Sequence, residues 1–414
     1  MPRIDIPEVA KAIEKALAEP DQPMTRAADA ILGRAADLHA SDVHVTPAIA
    51  GGKVRFRIDG FFSDAADLPA DVMDQLVARF KVMAGLIVHK HDLAQEGRIV
   101  VRRDAGDIFC RLSVVPTVNG ERAVLRLFDQ LHDLMGVDEL GFAEDVVKEY
   151  REAVFGLDGV IALTGPSGSG KTTTLYATLD EIDRTRGDSL SIITIEDPVE
   201  YNLGRFAQME VNPRAGLDFS GALSAALRQD PEVIMVGEIR DVETCRIALR
   251  AGLTGHLVLT TVHAGTAPAV ITRLLDLEVE PSVVASSLRA VLAQRLVRRV
   301  CPRCAETGPV GSAAAALCAG AGVEPPERAP VARGCPACMG IGYKGRTAIC
   351  EFLRIDDEMG SLIHSRPGTA AVEKKARAKG VRSLAAHGLQ KVRDGLTTIE
   401  EVMRVTLAGG SVLP

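Results

Sequence analysis

A glycine-rich turn between an apolar run and a helical segment limits most strongly what this chain can fold into. Residues 159–174 read Gly-Val-Ile-Ala-Leu-Thr-Gly-Pro-Ser-Gly-Ser-Gly-Lys-Thr-Thr-Thr. The turn has the spacing G-x-x-x-x-G-K-[ST], with an apolar strand before it and a helix after it, as that motif requires. The alternative is an ordinary glycine-rich turn between a strand and a helix. The context favours a loop that binds ATP or GTP.

The residue types in this turn match the needs of a polyphosphate. Backbone N–H groups of such a turn surround phosphate oxygens, and the helix that follows adds the positive end of its dipole. Lys171 is predicted to reach the β- and γ-phosphates, and the Thr172 hydroxyl is predicted to hold Mg²⁺. The predicted nucleotide-binding residues are Gly165, Pro166, Ser167, Gly168, Ser169, Gly170, Lys171, Thr172 and Thr173.

Composition narrows the function classes. With 414 residues the chain is too long for one core, so we expect two or three domains. A net charge of −7 and only 4% aromatic residues argue against a nucleic-acid binder. No apolar run approaches the roughly 18–20 residues of a membrane span, and the first residues do not resemble a signal peptide. We therefore expect a cytoplasmic chain without a membrane span, whose eight Cys are metal ligands or free thiols.

The first third of the chain mixes helical and strand patterns. Apolar residues recur at helical spacing over 6–19, and a second helical stretch covers 23–39. Residues 53–60 alternate polar and apolar and end in Asp-Gly, which predicts a strand entering a hairpin. A helix over 70–88 and strands over 108–115 and 122–127 complete the pattern. We predict an N-terminal extension over 1–20, an α+β domain over 21–128 and a linker over 129–139.

The pattern changes between residues 140 and 300. Four short apolar runs without alternation lie between helical segments: Val160–Leu163, Ile192–Ile195, Val233–Val236 and Leu257–Leu259. Such runs are typical of a parallel sheet that helices cover on both faces. Ligands of that architecture lie at the carboxyl ends of the strands. The residues that follow each run are therefore the candidates for a site.

Polar side chains follow each of these runs. Glu196 and Asp197 follow the second run, Glu238 the third and His263 the fourth. Either Glu196 or Glu238 is predicted to orient the attacking water, and His263 to hydrogen-bond the γ-phosphate. Glu238 ends the predicted Walker B strand, although Gly237 stands where many NTPases carry Asp. The alternatives are a helix cap or salt bridge for each carboxylate and a structural role for His263.

Two C-x-x-C pairs follow at residues 301–304 and 335–338. Four thiolates would form a closed tetrahedral Zn²⁺ site, which is structural and not catalytic. The long loop between the pairs costs little because closure entropy grows only logarithmically with length. Unrelated thiol pairs or a redox motif are the alternatives, but no βαβ pattern surrounds them. The predicted zinc ligands are Cys301, Cys304, Cys335 and Cys338, within an insert over 301–349.

Several segments together resemble one family, the secretion-superfamily ATPases that assemble type II secretion pseudopili and type IV pili. The resembling segments are Ile195-Glu196-Asp197-Pro198-Val199-Glu200-Tyr201 (aspartate box), Leu227-Arg228-Gln229-Asp230-Pro231 with Ile234-Met235-Val236-Gly237-Glu238-Ile239-Arg240-Asp241 (Walker B), Thr254-Gly255-His256-Leu257-Val258-Leu259-Thr260-Thr261-Val262-His263 (histidine box) and Gln294-Arg295-Leu296 before the Cys pairs. The resemblance runs from about residue 25 to the C-terminus. The four-Cys insert points to the assembly branch, because the similar pilus-retraction branch lacks it.

The resemblance implies a fold and an activity. It implies an α/β protein with a RecA-like P-loop core over 140–300, an N-terminal α+β domain and a helical C-terminal region over 350–414. It further implies a ring, usually a hexamer, that hydrolyses ATP with Mg²⁺ and drives assembly through an inner-membrane platform protein. ATP would be held between the α+β domain and the core. The chain would then be cytoplasmic and peripheral to the inner membrane through protein partners.

The resemblance also assigns a phosphate-neutralising role to arginines of the α+β domain. The candidates are Arg98, Arg111 and Arg126, with Arg98 preferred because it follows Gly97 in a polar turn. Solvated charges on a strand face are the alternative. The chain departs from the family pattern at Glu96 and at Ile87, where Asp is common. Full-length members carry a further N-terminal domain that docks on a membrane protein, and only about twenty residues precede the match here.

Three other functions stay open at this point. A nucleotide-binding regulatory module with little turnover would share the phosphate loop. A DNA-processing RecA-like motor is opposed by the charge and the low aromatic content. Pilus retraction is opposed by the paired C-x-x-C motifs. Type II secretion, type IV pilus and competence-type systems are not separated by the sequence.

Overall fold

The alternation of apolar and polar residues in the first third of the chain forms a mostly antiparallel sheet.

The structure is a computed structural model that describes residues 4–103, 106–128, 135–200 and 202–407. Residues 129–134 of the predicted linker and Tyr201 of the aspartate box lie outside that description. Two compact units are present: Met1–Asp133 with Met339–Ile341, and Leu134–Cys338 with Gly342–Pro414.

The first unit is a seven-stranded sheet with helices packed on one face. Its elements are β1 (Ile4–Asp5), α1 (Pro7–Ala18), α2 (Pro23–Asp37), β2 (Asp42–Ala48), β3 (Gly51–Ile58), β4 (Phe61–Leu68), α3 (Ala70–Met83), β5 (Gln95–Val101), β6 (Ile108–Thr117) and β7 (Gly120–Phe128). The strand order is β1-β4-β3-β2-β7-β6-β5, and all neighbours are antiparallel except β1 and β4. Every second residue of the strands enters the core, including Val43, Phe56 and Leu112.

Five predicted elements of this unit agree with the structure and one is too long. The strands over 108–115 and 122–127 lie within β6 and β7. The helices over 6–19 and 23–39 are α1 and α2, and the strand over 53–60 is most of β3. The helix predicted over 70–88 ends at Met83, because Gly85 adopts a φ of +67° just beyond it. A left-handed glycine after the last helical turn is a common helix terminator.

The second unit has a mostly parallel sheet at its centre. Its elements up to the Cys pairs are α4 (Glu144–Phe155), β8 (Gly159–Thr164), α5 (Lys171–Arg186), β9 (Ile192–Glu196), β10 (Ala207–Glu210), α6 (Phe219–Ala226), β11 (Val233–Ile239), α7 (Val242–Leu253), β12 (Leu257–Val262), α8 (Ala267–Asp276), α9 (Pro281–Ser287) and β13 (Leu288–Val300). The four apolar runs of the sequence are β8, β9, β11 and β12, as predicted.

The Cys pairs and the C-terminal region complete this unit. The remaining elements are β14 (Glu306–Pro309), α10 (Ser312–Gly320), β15 (Arg328–Val331), β16 (Tyr343–Arg354), α11 (Asp357–His364), α12 (Thr369–Ala378), α13 (Leu384–Arg393) and α14 (Ile399–Thr406). The main sheet has the order β10-β9-β11-β12-β8-β13-β16, in which β16 alone is antiparallel to its neighbour. The fold is therefore the expected α/β core with a helical C-terminal region.

Side chains of the central strands alternate between two cores. Val160 and Ala162 of β8 pack into the core that contains α6, α7 and α8. Ile161 and Leu163 of the same strand pack into the core that contains α4 and α5. A strand that is buried on both faces needs apolar residues at every position, which explains the missing alternation. None of the described helices combines the length and apolarity needed to cross a lipid bilayer.

Helix α7 packs against the start of β8 through a glycine, and this contact yields a stability prediction. A Cβ atom at Gly252 would lie 3.0 Å from the carbonyl carbon of Gly159 and 2.8 Å from a methyl of Val160. Because backbone atoms of a central strand cannot move aside, Gly252→Ala should lower the free energy of unfolding by about 1–3 kcal/mol. Urea unfolding at equilibrium measures this change.

Gly360→Ala is the matched control, because Gly360 is also helical and its added Cβ would have no neighbour closer than 3.9 Å. That variant should be as stable as the wild type or gain roughly 0.5–1 kcal/mol from helix propensity. Equal stability of both variants would contradict the close packing of α7 on β8.

Candidate active site

The glycine-rich turn lies between β8 and α5, at the carboxyl edge of the parallel sheet. Gly168 and Gly170 adopt φ angles of +72° and +87°, which side chains rarely tolerate. A Cβ at Gly165 would lie 2.4 Å from the Ser169 Oγ and 2.5 Å from the Gln294 carbonyl oxygen. The turn therefore needs glycine both for its backbone angles and for its close packing. We call residues 165–173 the phosphate loop.

Several N–H groups of the phosphate loop and one hydroxyl have no acceptor among the described residues. In the described part of the chain, the N–H groups of Gly168, Gly170, Lys171, Thr172 and Thr173 donate no hydrogen bond, and neither does the Thr172 hydroxyl. Lys171 Nζ donates to the carbonyl oxygens of Gly165 at 2.8 Å and Pro166 at 3.0 Å. Burial lowers the pKa of Lys171, while the carboxylate of Glu238 opposes this effect. Such a concentration of donors at a helix N-terminus fits a polyphosphate, and the Thr172 hydroxyl oxygen fits Mg²⁺.

Hydroxyl groups join the ends of the central strands. The Thr164 Oγ1 at the end of β8 donates to the Ala264 carbonyl at 2.8 Å and accepts from the Ala264 N–H at 3.0 Å. The Thr261 Oγ1 on β12 donates to the Gly237 carbonyl of β11 at 2.7 Å. These bonds hold the segments that carry the phosphate loop, His263 and Glu238 next to one another.

Glu238 lies between two basic groups from neighbouring strand ends. One of its carboxylate oxygens accepts from Arg240, and the other lies 3.1 Å from His263 Nε2. Arg240 also lies 3.7 Å from a carboxylate oxygen of Asp197 at the end of β9. Burial acts to raise the pKa of Glu238, but Arg240 and His263 outweigh it and the pKa is lowered. Glu238 is therefore an ionised carboxylate at neutral pH.

Glu196, the other predicted water-orienting residue, has a different environment. Its side chain is buried and accepts hydrogen bonds from the Tyr176 hydroxyl, from Thr194 at 2.6 Å and from Gln208 at 3.1 Å. Tyr176 belongs to α5 and Gln208 to β10, so this carboxylate joins three elements of the second unit. Both of its oxygens are thus occupied by protein donors.

The three arginines predicted for the first unit form one row across its sheet. Arg98 on β5 pairs directly with Arg111 on β6, which pairs with Arg126 on β7. Glu96 accepts from Arg111, and Asp42 lies 3.2 Å from Arg126 Nε. Like charges directly opposite one another destabilise a sheet. The register therefore brings three guanidinium groups together at some cost in stability.

The four predicted zinc ligands converge in the second unit. The sulfur atoms of Cys301, Cys304, Cys335 and Cys338 all lie within 4.8 Å of one another. The separations of 301–335, 304–338 and 335–338 are 3.9, 3.8 and 3.8 Å, and a tetrahedral Zn²⁺ with bonds of about 2.3 Å implies nearly the same spacing. Burial acts to raise the pKa of Cys338, but the N–H groups of Cys335 and Gly342 and the neighbouring thiols lower it to about 7. The set fits a structural zinc ion.

The sequence does not give the contacts of some residues at the site. Arg240 and Gln294 each stand in a segment that resembles the family, but nothing in the sequence pairs Arg240 with Glu238 or brings Gln294 to the phosphate loop. Tyr176 is one more large residue of α5 in the sequence. Gln294 is buried on β13 and contacts the phosphate loop, and a polar residue directly after the apolar run of residues 290–293 was a further signal for it.

Comparison with known proteins agrees with this geometry. Residues 17–404 match the family model described as "Type II/IV secretion system protein". The chain is 44% identical to the type II secretion system protein E of Pseudomonas aeruginosa, over 97% of this chain and 78% of that protein. It is 42% identical to the type II secretion system ATPase E of Vibrio cholerae, over 94% of this chain and 76% of that protein. It is 40% identical to the type IV pilus assembly ATPase PilB of Thermus thermophilus, over 98% of this chain and 46% of that protein.

A solved structure has the same fold. The pilus retraction motor PilT with bound ADP superposes with a TM-score of 0.62 at 27% identity, covering 91% of this chain and 96% of that one. The extent of the family match and the identity to several relatives leave one assignment. This chain belongs to the type II/IV secretion system ATPase family.

Proposed function

We propose that this chain is an ATP-hydrolysing motor that powers assembly of a pseudopilus or pilus. The observation that carries the proposal is the convergence of the phosphate loop, Glu238 and His263 at one edge of the sheet, held by hydrogen bonds between strand ends. The names of the relatives, type II secretion and type IV pilus assembly ATPases, support assembly as the process that the motor drives. The four-Cys cluster supports the assembly branch.

The site supplies the parts of phosphoryl transfer to water. The N–H groups of the phosphate loop and Lys171 bind the β- and γ-phosphates and counter their charge. Mg²⁺, held at the Thr172 hydroxyl, would neutralise charge on the same phosphates. Glu238 orients and polarises the attacking water, because its carboxylate is ionised and its charge acts on Lys171 of the phosphate loop. His263 follows β12 and is hydrogen-bonded to Glu238. In this proposal it also hydrogen-bonds the γ-phosphate.

Glu196 then has a supporting role in this proposal. Three protein donors occupy its oxygens, so it is poorly placed to bind a water as well. Of the two carboxylates that the sequence left open, Glu238 is therefore the one that orients the attacking water.

The proposal gives Arg98, Arg111 and Arg126 the task of neutralising phosphate charge. Their direct cross-strand pairing concentrates positive charge, and an anionic ligand would relieve the repulsion. An arginine delivered to a transferring phosphoryl group changes rates by about 10³-fold or more.

The proposed assembly follows the family. The chain acts as a homo-oligomeric ring, a hexamer, in the cytoplasm, and is held at the inner membrane through a platform protein. The cofactors are ATP with Mg²⁺, together with a structural Zn²⁺ at the four cysteines. No nucleic acid takes part.

The first test concerns the phosphate loop. Lys171→Ala removes the ammonium that counters phosphate charge, so steady-state phosphate release should fall below about a tenth of wild type. Lys148→Ala, an exposed lysine on α4, is the control and should keep full activity. Residual activity of Lys171→Ala above that level would remove Lys171 from its role. A wild-type chain that binds ATP without releasing phosphate would favour the regulatory-module alternative.

The second test separates the two carboxylates. Glu238→Gln should lower kcat by about 100-fold or more while ATP still binds, because a neutral amide orients water poorly. Glu196→Gln should instead lower stability by about 1–3 kcal/mol, because its amide N–H₂ would replace one acceptor oxygen and would face either the Tyr176 hydroxyl or the donors of Thr194 and Gln208. Phosphate release and thermal unfolding of both variants measure this difference. Near-normal turnover of Glu238→Gln, with lost turnover and unchanged stability of Glu196→Gln, would reverse the assignment.

The third test concerns the metal. Elemental analysis of the purified chain should find one zinc per chain, and Cys301→Ser should lose it with a fall in Tm, because binding free energy of a structural zinc is folding free energy. Cys318→Ala is the control, since Cys318 is buried in α10 outside the cluster and its loss should leave the zinc bound. Absence of zinc from the wild-type chain would refute the site.

A further inference from the structure

We infer that Gln294 is a positioning residue that holds the phosphate loop in its anion-binding conformation. The inference rests on the proposed role of that loop in binding nucleotide. The residue lies on β13, which runs parallel to β8 and pairs Ala293 with Thr164. Because Thr164 is the last residue of β8, the next residue of β13 lies beside the first residue of the loop, Gly165. The sheet register thus delivers Gln294 to the base of the loop.

Gln294 contacts both limbs of the loop. Its Nε2 donates to the Ser169 carbonyl oxygen at 2.8 Å, and its Oε1 accepts from the Thr174 hydroxyl at 3.0 Å. Its own carbonyl oxygen would lie 2.5 Å from a Cβ at Gly165, and its Nε2 would lie 3.2 Å from a Cβ at Gly170. The side chain is only 1% exposed, so these bonds are shielded from water. One buried residue therefore contacts the beginning of the loop, the end of the loop and the first turn of the following helix.

The bond to Ser169 fixes the direction of a peptide group. In a trans peptide the carbonyl and the following N–H point to opposite sides. When Gln294 holds the Ser169 carbonyl, the Gly170 N–H points away from Gln294, and it has no acceptor among the described residues. A flip of this peptide would replace that N–H with a carbonyl oxygen, which would repel phosphate. The hydrogen bond thus selects the form of the loop that attracts an anion.

The contact set requires an amide and excludes close substitutes. The Ser169 carbonyl needs a donor, which the amide nitrogen of Gln294 supplies. The Thr174 hydroxyl faces the amide oxygen and also lies 3.2 Å from the Gly170 carbonyl oxygen. A glutamate would repel the Ser169 carbonyl and would add a negative charge near the phosphates. A leucine of similar size would leave the Ser169 carbonyl without this donor. Thr174 contacts the amide oxygen, so it belongs to the same group of contacts.

The decisive experiment measures binding of a non-hydrolysable ATP analogue with Mg²⁺ by titration calorimetry, beside Tm without nucleotide. We expect Gln294→Leu to weaken binding by about tenfold, the equivalent of one lost hydrogen bond of about 1.4 kcal/mol, and Gln294→Glu to weaken it further. In steady-state assays KM should rise more than kcat falls, because the lost contact acts on ground state and transition state alike. A residue that only supports the core would lower Tm without changing affinity at temperatures where the variant is folded.

Two further variants keep the inference testable if Gln294→Leu does not fold. Thr174→Val should weaken binding in the same direction, and Thr174→Ser, which keeps the hydroxyl, should bind as the wild type does. Gln390→Leu, at an exposed position on α13, is the matched control and should not change affinity. Folded Gln294→Leu and Thr174→Val variants with wild-type affinity would overturn the inference. If Lys171→Ala also binds normally, the phosphate-loop assignment itself fails, and the two failures are thereby distinguished.

Discussion

The central constraint of this structure is the burial of a parallel sheet on both faces. Strands β8, β9, β11 and β12 contribute apolar side chains to two separate cores, so their charged side chains lie at the strand ends. Because the strands are parallel, their carboxyl ends meet along one edge. The phosphate loop, His263, Glu238 and Asp197 therefore gather at that edge as a consequence of packing. The burial of apolar side chains on both faces of the sheet thus determines where the site residues lie.

Short polar side chains turn the shared edge into a defined site. Thr164 and Thr261 bond backbone groups of the neighbouring strand, and Gln294 bonds the phosphate loop from β13. Each of these groups is buried, and a buried polar group that lost its partner would cost about 1–3 kcal/mol. Their requirement for partners restricts the relative positions of the strand ends. Arg240 and His263 contact the Glu238 carboxylate and lower its pKa against the effect of burial.

The first unit carries a row of basic residues. Its sheet places Arg98, Arg111 and Arg126 in one register row, with Glu96 against Arg111 and Asp42 against Arg126. Repulsion within such a row lowers stability, whereas residues of mixed charge would raise it. The sheet tolerates this loss of stability because the apolar residues of its inner face form the core that determines the fold. Neutralising phosphate charge is the role that we propose for this row.

The sequence alone determined the phosphate loop, the four buried strands, the polar residues at their ends and the spacing of the four cysteines. Each of these is a local pattern, since a glycine turn, an apolar run or a C-x-x-C pair is complete within a few residues. Only the tertiary structure showed the different surroundings of Glu196 and Glu238, because Tyr176 and Gln208 reach Glu196 from other elements, and the contact of Glu238 with His263 joins two strand ends. It also placed three arginines in one row and brought Gln294 to the phosphate loop, because strand register joins residues that lie far apart in the chain. Strands β2, β4 and β5 likewise needed their neighbours, since small and charged residues weaken their own alternation and pairing supplies the missing stability.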